Sequence, residues 1–309
     1  MYNFLVKVMK NEKKKSELKL QKLEILNIDI QYIEALWEAD KDERGNSRVY
    51  YNPKNPRYGV KPYIGIFIDE ETNTKYAIPY TSAKVWHKSF LEEDPIKGIL
   101  LTQVIDTREI DLTEGNRYKW VTKPLDPNDS FFQNHPEIKD EEKHNYRKRI
   151  KNFLDFERMI PLAKGTYKPI DLTIKGIGKE FHDKKLYTDQ LRLAGKHQTM
   201  MTQSASDRYH RQIDLGQITS HNEPDLKKLD YTRQIWEEYK KKEPKSKFTK
   251  YLQHKYNTKD IKEAIQIKQE TEAKKEHFET LLKDSEFFCT PGSKNDPSNE
   301  KSETDKYIE

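Results

Sequence analysis

The chain has 309 residues, of which 34% are apolar and 35% are charged, and its formal net charge is +5. No apolar run approaches the roughly 20 residues that span a bilayer, so the sequence does not predict a membrane protein. A single cysteine, Cys289, rules out an intramolecular disulfide, and MYNFLVKV is too short for a signal-peptide core. We therefore predict a cytoplasmic protein.

The N-terminal elements can be read from their periodicity. Residues 1–18 form a polar leader, and KLEILNI (Lys22–Ile28) alternates as a strand does. A helix is predicted over Asp29–Asp40, because Ile30, Ile33 and Trp37 share one helical face and Asp29 suits an N-cap. An irregular loop rich in proline and glycine follows.

The segment KPYIGIFIDEETNTKYAIPYTSAK (Lys61–Lys84) predicts a β-hairpin. If its turn is Asp69–Thr74, Ile68 lies opposite Lys75, and the same register places Lys61 opposite Ser82. A bulge at Pro79 would shift that register by one residue without dispersing the residues at the open end.

The remainder of the chain alternates between apolar and charged segments. One domain is expected over 19–243; GILLTQVI is a candidate strand within the segment 88–150, which a resemblance described below marks as an insertion. NFLDFERMIPL (Asn152–Leu162) indicates a core strand, and two helical segments follow. The narrow apolar stripe of 244–288 predicts a helical extension that must dock elsewhere, and 289–309 is disordered by composition.

The open end of the hairpin is the strongest candidate site. It gathers Lys61, Thr81, Ser82 and Lys84, with Tyr58 nearby in sequence. Lysines and hydroxyl groups can hold phosphate oxygens and move protons, so the set suits cleavage of RNA through its own 2′-hydroxyl without a metal. The alternative is an N-capping Thr-Ser pair beside incidental surface lysines.

Other catalytic motifs find little support in the sequence. His87 is a candidate proton donor, although a partner of surface groups is the alternative. The 9 histidines and the lone cysteine lack zinc-ligand spacing, so we predict no metal and no cofactor. GIGKE is not a P-loop, and G-x-S-x-G is absent from the sequence.

A basic segment indicates a polyanion-binding surface. The stretch from Lys143 to Gly216 has twice as many basic as acidic residues, and His182–Ile213 within it is helical by pattern. The candidate RNA contacts are Lys184, Lys185, Arg192, Lys196, Arg208 and Arg211. A solvated helix face is the alternative, and the lysine runs at 13–15 and 240–242 are interpreted as solvated.

Several motifs resemble those of the ToxN/AbiQ family of type III toxin–antitoxin endoribonucleases. They occur in family order, and the most specific is Lys-x-aromatic-Ile-Gly-Ile followed by Tyr-x-x-Pro-x-Thr-Ser-x-Lys. The resembling segments are QYIEALWEAD, KPYIGIFI with KYAIPYTSAKVWH, FERMIPL, KLYTDQLRLAG and KLDYTRQIWEEY.

The resemblance implies which residues act. Lys61, Thr81, Ser82 and Lys84 match the family's functional positions, and Tyr58 matches its tyrosine less securely, so Tyr51 or Tyr50 stays open. His87 receives no family role. The segment 88–150 is far longer than its family counterpart, and the segment 243–309 has no counterpart in the family.

The resemblance also implies a fold and a function. The fold is α+β, with a strongly twisted antiparallel sheet and flanking helices similar to Kid/MazF-type toxins, plus the C-terminal helical extension. The implied activity is cleavage of single-stranded RNA to a 2′,3′-cyclic phosphate, in phage defence or plasmid maintenance. The implied partner is a repeat-derived pseudoknot RNA antitoxin, bound in a closed ring. A non-catalytic RNA-binding protein on the same fold is the rival reading.

Overall fold

The computed structural model describes residues 17–54, 61–82, 98–109, 122–173 and 179–288. The strands in chain order are β1 Leu18–Ile28, β2 Tyr63–Asp69, β3 Lys75–Ser82, β4 Gly98–Asp106, β5 Thr122–Pro124, β6 Tyr146–Asp155, β7 Ile160–Leu162 and β8 Tyr167–Pro169. The helices are α1 Ile30–Asp40, α2 Ser130–Gln133, α3 Lys179–Gly195, α4 Gln198–Ile213, α5 Leu226–Lys242, α6 Phe248–Tyr256 and α7 Ile261–Phe288. Two 3-10 turns, Asp140–Asn145 and Phe156–Arg158, flank β6.

All described strands belong to one antiparallel sheet, as the sequence predicted for the fold class. The strand order is β4-β6-β3-β2-β1-β8, with β5 pairing β6 and β7 pairing β3. The candidate strand GILLTQVI is β4, and it pairs along β6 from Gly98 to Asp106. Part of the predicted insertion at 88–150 therefore extends the sheet.

Helices cover both faces of this sheet. On one face α1 and α5 pack over β2 and β3, where Tyr32, Leu36 and Trp236 are among the buried side chains. On the other face α3 and α4 contribute Leu193, Met201 and other residues to a second cluster. The alternation along β2 and β3 produces these two cores, because successive side chains of a strand point to opposite faces.

The helix after β1 begins where the sequence predicts. The Asp29 carboxylate accepts a hydrogen bond from the backbone N–H of Gln31 at 2.8 Å, which satisfies one of the donors left open at a helix start. None of the helices in the described part of the chain combines the length and the apolar composition of a membrane-spanning segment.

The C-terminal extension divides at residue 265. Up to Ile265 it belongs to the first compact unit, and the core cluster of α1 and α5 includes Tyr251, Leu252 and Ile265. Residues 266–309 form the second unit. Within its described part Phe278 is 61% exposed, and Lys268 pairs with Glu272 at 2.9 Å.

Candidate active site at the end of the hairpin

The hairpin has the predicted register at its turn but not at its open end. Ile68 lies opposite Lys75, as expected, whereas Tyr63 lies opposite Pro79 because the register shifts between Ile64 and Phe67. The extra residue is in β2, where Gly65 has a φ of +75°. Residues other than glycine rarely adopt this backbone angle. The predicted bulge position at Pro79 is therefore on the wrong strand.

This bulge changes which residue faces Lys61. The backbone N–H of Tyr80 donates to the carbonyl of Pro62 at 3.1 Å, so the pairing continues past Tyr63. Continued by one residue, this register sets Lys61 opposite Thr81, so the predicted pairing of Lys61 with Ser82 is wrong by one residue. Both residues therefore remain at the open end of the hairpin.

Strand β6 supports the end of β3 from its other side. Thr81 pairs with Phe153, and Ser82 pairs with Asn152. The Asn152 side chain is 1% exposed, and its amide donates to the Thr81 carbonyl at 3.4 Å. Thr81 itself is 6% exposed, so its position is determined by packing as well as by pairing.

The described residues contain only part of the predicted catalytic set. Lys61 and Thr81 are described in full, and Ser82 is described by its backbone at the last position of β3. Tyr58, Lys84 and His87 lie outside the described residues. Their convergence with Lys61 stays a prediction.

A buried carboxylate that sequence reasoning missed lies close to this end. Asp155, the last residue of β6, is 4% exposed, and the Tyr50 hydroxyl donates to its Oδ2 at 2.7 Å. The Arg158 Nε lies 3.5 Å from the same oxygen, and the Arg158 guanidinium lies 4.4 Å from the centre of the Tyr50 ring. Tyr50 is one of the tyrosines that the resemblance left open.

The position of Asp155 follows from the strand pairing. Phe153 lies opposite Thr81, and Asp155 is two residues further along β6. Asp155 and Thr81 are therefore diagonal neighbours on the same face of two paired strands. Such neighbours are about 7–8 Å apart. Tyr63, opposite Pro79, is buried nearby on β2.

Burial controls the protonation of this cluster. It raises the pKa of Asp155 to about 6, although the Tyr50 hydrogen bond and the Arg158 charge oppose the shift. Burial and the Asp155 charge raise the pKa of Tyr50 above its ordinary value. Tyr50 is thus a hydrogen-bond donor at neutral pH and unsuited to act as a phenolate base.

The predicted RNA contacts divide into exposed and buried residues. Arg192 and Lys196 are exposed near the end of α3, and the side chains of Lys184 and Lys185 lie outside the described residues. Arg208 is 1% exposed, so the prediction that it contacts RNA is wrong. Arg211 is half-buried and ion-paired with Glu223, which leaves it poorly placed for a phosphate.

Arg208 has a structural role in place of the predicted one. Its terminal nitrogens donate to the carbonyls of Phe156, Met159 and Pro224, which joins the turn after β6 to the segment before α5. Burial lowers its pKa to about 10, so the group stays charged at neutral pH. Helical periodicity carried the signal for this burial, because Arg208 shares a face with Met201 and Ala205.

Comparison with known proteins points to one family. The model of the family described as Toxin ToxN of type III toxin–antitoxin systems matches residues 24–234. No curated protein matches the chain by sequence.

Three solved structures resemble the fold at low sequence identity. A toxin of a bacterial type III system, selectively inhibited by a non-coding RNA pseudoknot, is 14% identical with a TM-score of 0.43, over 71% of this chain and 99% of its own. A protein of a bacterial antiviral system regulated by a processed non-coding RNA is 16% identical with a TM-score of 0.40, over 68% and 97%. AbiQ, a lactococcal anti-phage endoribonuclease of a type III system, is 13% identical with a TM-score of 0.42, over 70% and 99%.

Proposed function

Since the chain belongs to the ToxN family of type III toxin–antitoxin toxins, we propose that it is a metal-independent, sequence-preferring endoribonuclease that a small RNA antitoxin inhibits. The observation that carries the proposal is the meeting of Lys61 and Thr81 at the open end of β2 and β3, inside the motif most specific to the family. The function in the cell would be phage defence or plasmid maintenance.

The proposed reaction uses the 2′-hydroxyl of the substrate as the nucleophile. The 2′-oxygen loses its proton and attacks phosphorus, the bond from phosphorus to the 5′-oxygen breaks, and that oxygen receives a proton. The products are a 2′,3′-cyclic phosphate and a 5′-hydroxyl. An ammonium group stabilises the charged five-coordinate phosphorus, and a positioned proton donor or acceptor contributes about 10²–10⁴-fold.

The residues proposed for these steps come from the hairpin end and its flanking loops. Lys61 and Lys84 hold the phosphate oxygens, and Ser82 and Tyr58 donate hydrogen bonds or protons. Thr81, which is buried, suits the task of positioning the chain end better than direct contact with RNA. His87 remains a candidate donor to the 5′-oxygen.

Purified protein should cut single-stranded RNA in excess EDTA, leave DNA of the same sequence intact and generate cyclic phosphate ends. Ser82→Ala should abolish cleavage while the melting temperature and antitoxin RNA binding are retained. Ser220→Ala, on the half-exposed segment between α4 and α5, is the matched control and should cleave normally.

Two results would contradict the proposal. Cleavage that a chelator stops would refute the metal-independent mechanism. RNA binding by the wild type with no cleavage of any RNA would favour the rival function, a non-catalytic RNA-binding protein on the same fold.

A further inference from the structure

A basic groove lies at the other end of the hairpin from Lys61 and Thr81. Its volume is about 850 Å³, and its walls are the β2–β3 turn, the segment between β7 and β8, and the C-terminal half of α5. Lys75, at the start of β3, is six residues from Thr81. At about 3.3 Å per residue the two ends are about 20 Å apart, so the groove is separate from the proposed cleavage site.

The cations of the groove come from three separate segments. Lys75 lies on β3, Lys164 follows β7, and Lys240 and Lys241 end α5. Within the part of the chain that the structure describes, no carboxylate forms an ion pair with any of these four ammonium groups. An anion could therefore approach them without displacing a described carboxylate.

The acidic residue of the groove is already occupied. Glu237 accepts hydrogen bonds from the Lys164 backbone N–H and from Arg233, each at 2.9 Å. Arg233 is also held by Asp230 at 2.7 Å. Among the described residues that line the groove, four lysines and Arg233 stand against Glu237 as the acidic residue, which leaves an excess of positive charge.

Aromatic rings lie next to two parts of the groove. The Lys240 ammonium lies 5.1 Å from the centre of the Trp236 ring and 4.9 Å from that of Tyr239, which orients its stem. Tyr167, half-buried in the wall, presents an aromatic ring beside the lysines. Ammonium groups interleaved with an aromatic ring are the features that bind the backbone and the bases of unpaired RNA.

We propose that this groove binds the phosphodiester backbone of an RNA strand, apart from the strand held at the cleavage site. The spread of the lysines over three segments suits a row of phosphates more than a single anion. The proposal rests on the proposed function for its choice of RNA as the polyanion. It adds a second RNA-binding site whose loss should leave the chemical step intact.

The test compares two triple variants of the full chain. The first replaces Lys75, Lys164 and Lys241 by Gln. The control replaces three exposed lysines that do not line the groove, Lys139, Lys250 and Lys259, by Gln. Binding is measured at several salt concentrations with a 2′-O-methyl RNA, which cannot be cleaved, and with inorganic phosphate as competitor.

In a plot of log affinity against log salt concentration, the slope of the groove variant should be less steep by about 2. The reason is that three lysines are removed and each phosphate contact on a single strand contributes about 0.7 to the slope. Its KM for a long RNA should rise about tenfold or more, with kcat unchanged and with normal cleavage of a tetranucleotide. The control variant should match the wild type in all of these measurements.

Several outcomes would overturn the groove proposal. One is a salt dependence of RNA binding that is unchanged in the groove variant, and another is a change no larger than that of the control variant. A third is equally tight binding of inorganic phosphate and RNA at the groove. If the wild type cleaves no RNA while the groove variant still loses its salt slope, the groove is supported and the proposed activity alone has failed.

Discussion

Replacement of Asp155 by Asn should stabilise the protein at neutral pH. Burial raises the pKa of this carboxyl to about 6 from 3.8. A difference of about 2 pKa units corresponds to about 3 kcal/mol of destabilisation when the group is charged in both the folded and the unfolded chain. Since the folded pKa is the higher one, this cost is complete above about pH 7 and is relieved as the pH falls through 6 towards 3.8.

The substitution also removes a favourable contact. Asparagine keeps an oxygen that can accept the hydrogen bond of the Tyr50 hydroxyl, but its amide group leaves the nearby Arg158 without an anionic partner. The loss of this contact reduces the stabilisation gained by removing the buried charge by about 1–2 kcal/mol. The expected net gain is therefore about 1–2 kcal/mol at neutral pH, falling to about zero near pH 5.

Urea unfolding followed by tryptophan fluorescence measures this difference between about pH 5 and pH 7.5. Glu43→Gln, at an exposed position, is the control and should change stability little at any pH. A variant that is less stable than the wild type at neutral pH would refute the reasoning, as would a gain that does not depend on pH. If Asp155 also orients Tyr50 and Arg158 for the proposed cleavage, the more stable variant should cleave RNA more slowly.

Three further changes test the fold around the site. Gly65→Ala should lower the free energy of unfolding by about 1–3 kcal/mol in a urea titration, because the residue has a φ of +75° and a Cβ there would lie 2.7 Å from the Phe67 ring; unchanged stability would contradict the bulge. Arg208→Met should lower the free energy of unfolding by at least about 3 kcal/mol in the same titration, because three carbonyls lose their hydrogen-bond donor. The salt dependence of RNA binding should not change, and a weaker salt dependence in the folded variant would indicate that Arg208 contacts RNA. Removal of 266–309 should keep the melting temperature within a few degrees, whereas removal of 243–309 should lower it sharply because buried aromatic residues of the core are lost; equal melting temperatures would contradict this division.

Pairing and capping between near neighbours were predictable from the sequence. The N-cap at Asp29, the turn register of Ile68 with Lys75 and the strand GILLTQVI follow from local patterns, and the structure has all three. The meeting of Lys61 with Thr81 follows in outline, because a hairpin brings its two ends together whatever its exact register. The family motif added residue roles that spacing alone does not give.

The polar residues within apolar strands were not predictable in the same way. Asn152 and Asp155 lie in a run that predicts a core strand, and a strand pattern does not say which polar side chain will meet a partner. The contact of Asp155 with Tyr50 joins residues about a hundred positions apart, and no local pattern specifies it.

The sequence by itself determined the elements of the hairpin and the residue types at its open end, whereas the tertiary structure decided their exact partners. One extra residue in β2 at Gly65 shifts the pairing by one position, so the register sets Lys61 opposite Thr81 and no longer opposite Ser82. Packing of α4 against the sheet buried Arg208, which the charge pattern had suggested as an RNA contact. Packing of α5 placed Lys240 and Lys241 in one groove with Lys75. The physical reason is that the burial and the electrostatic environment of a residue depend on which distant segments contact it. Local sequence patterns do not specify those contacts.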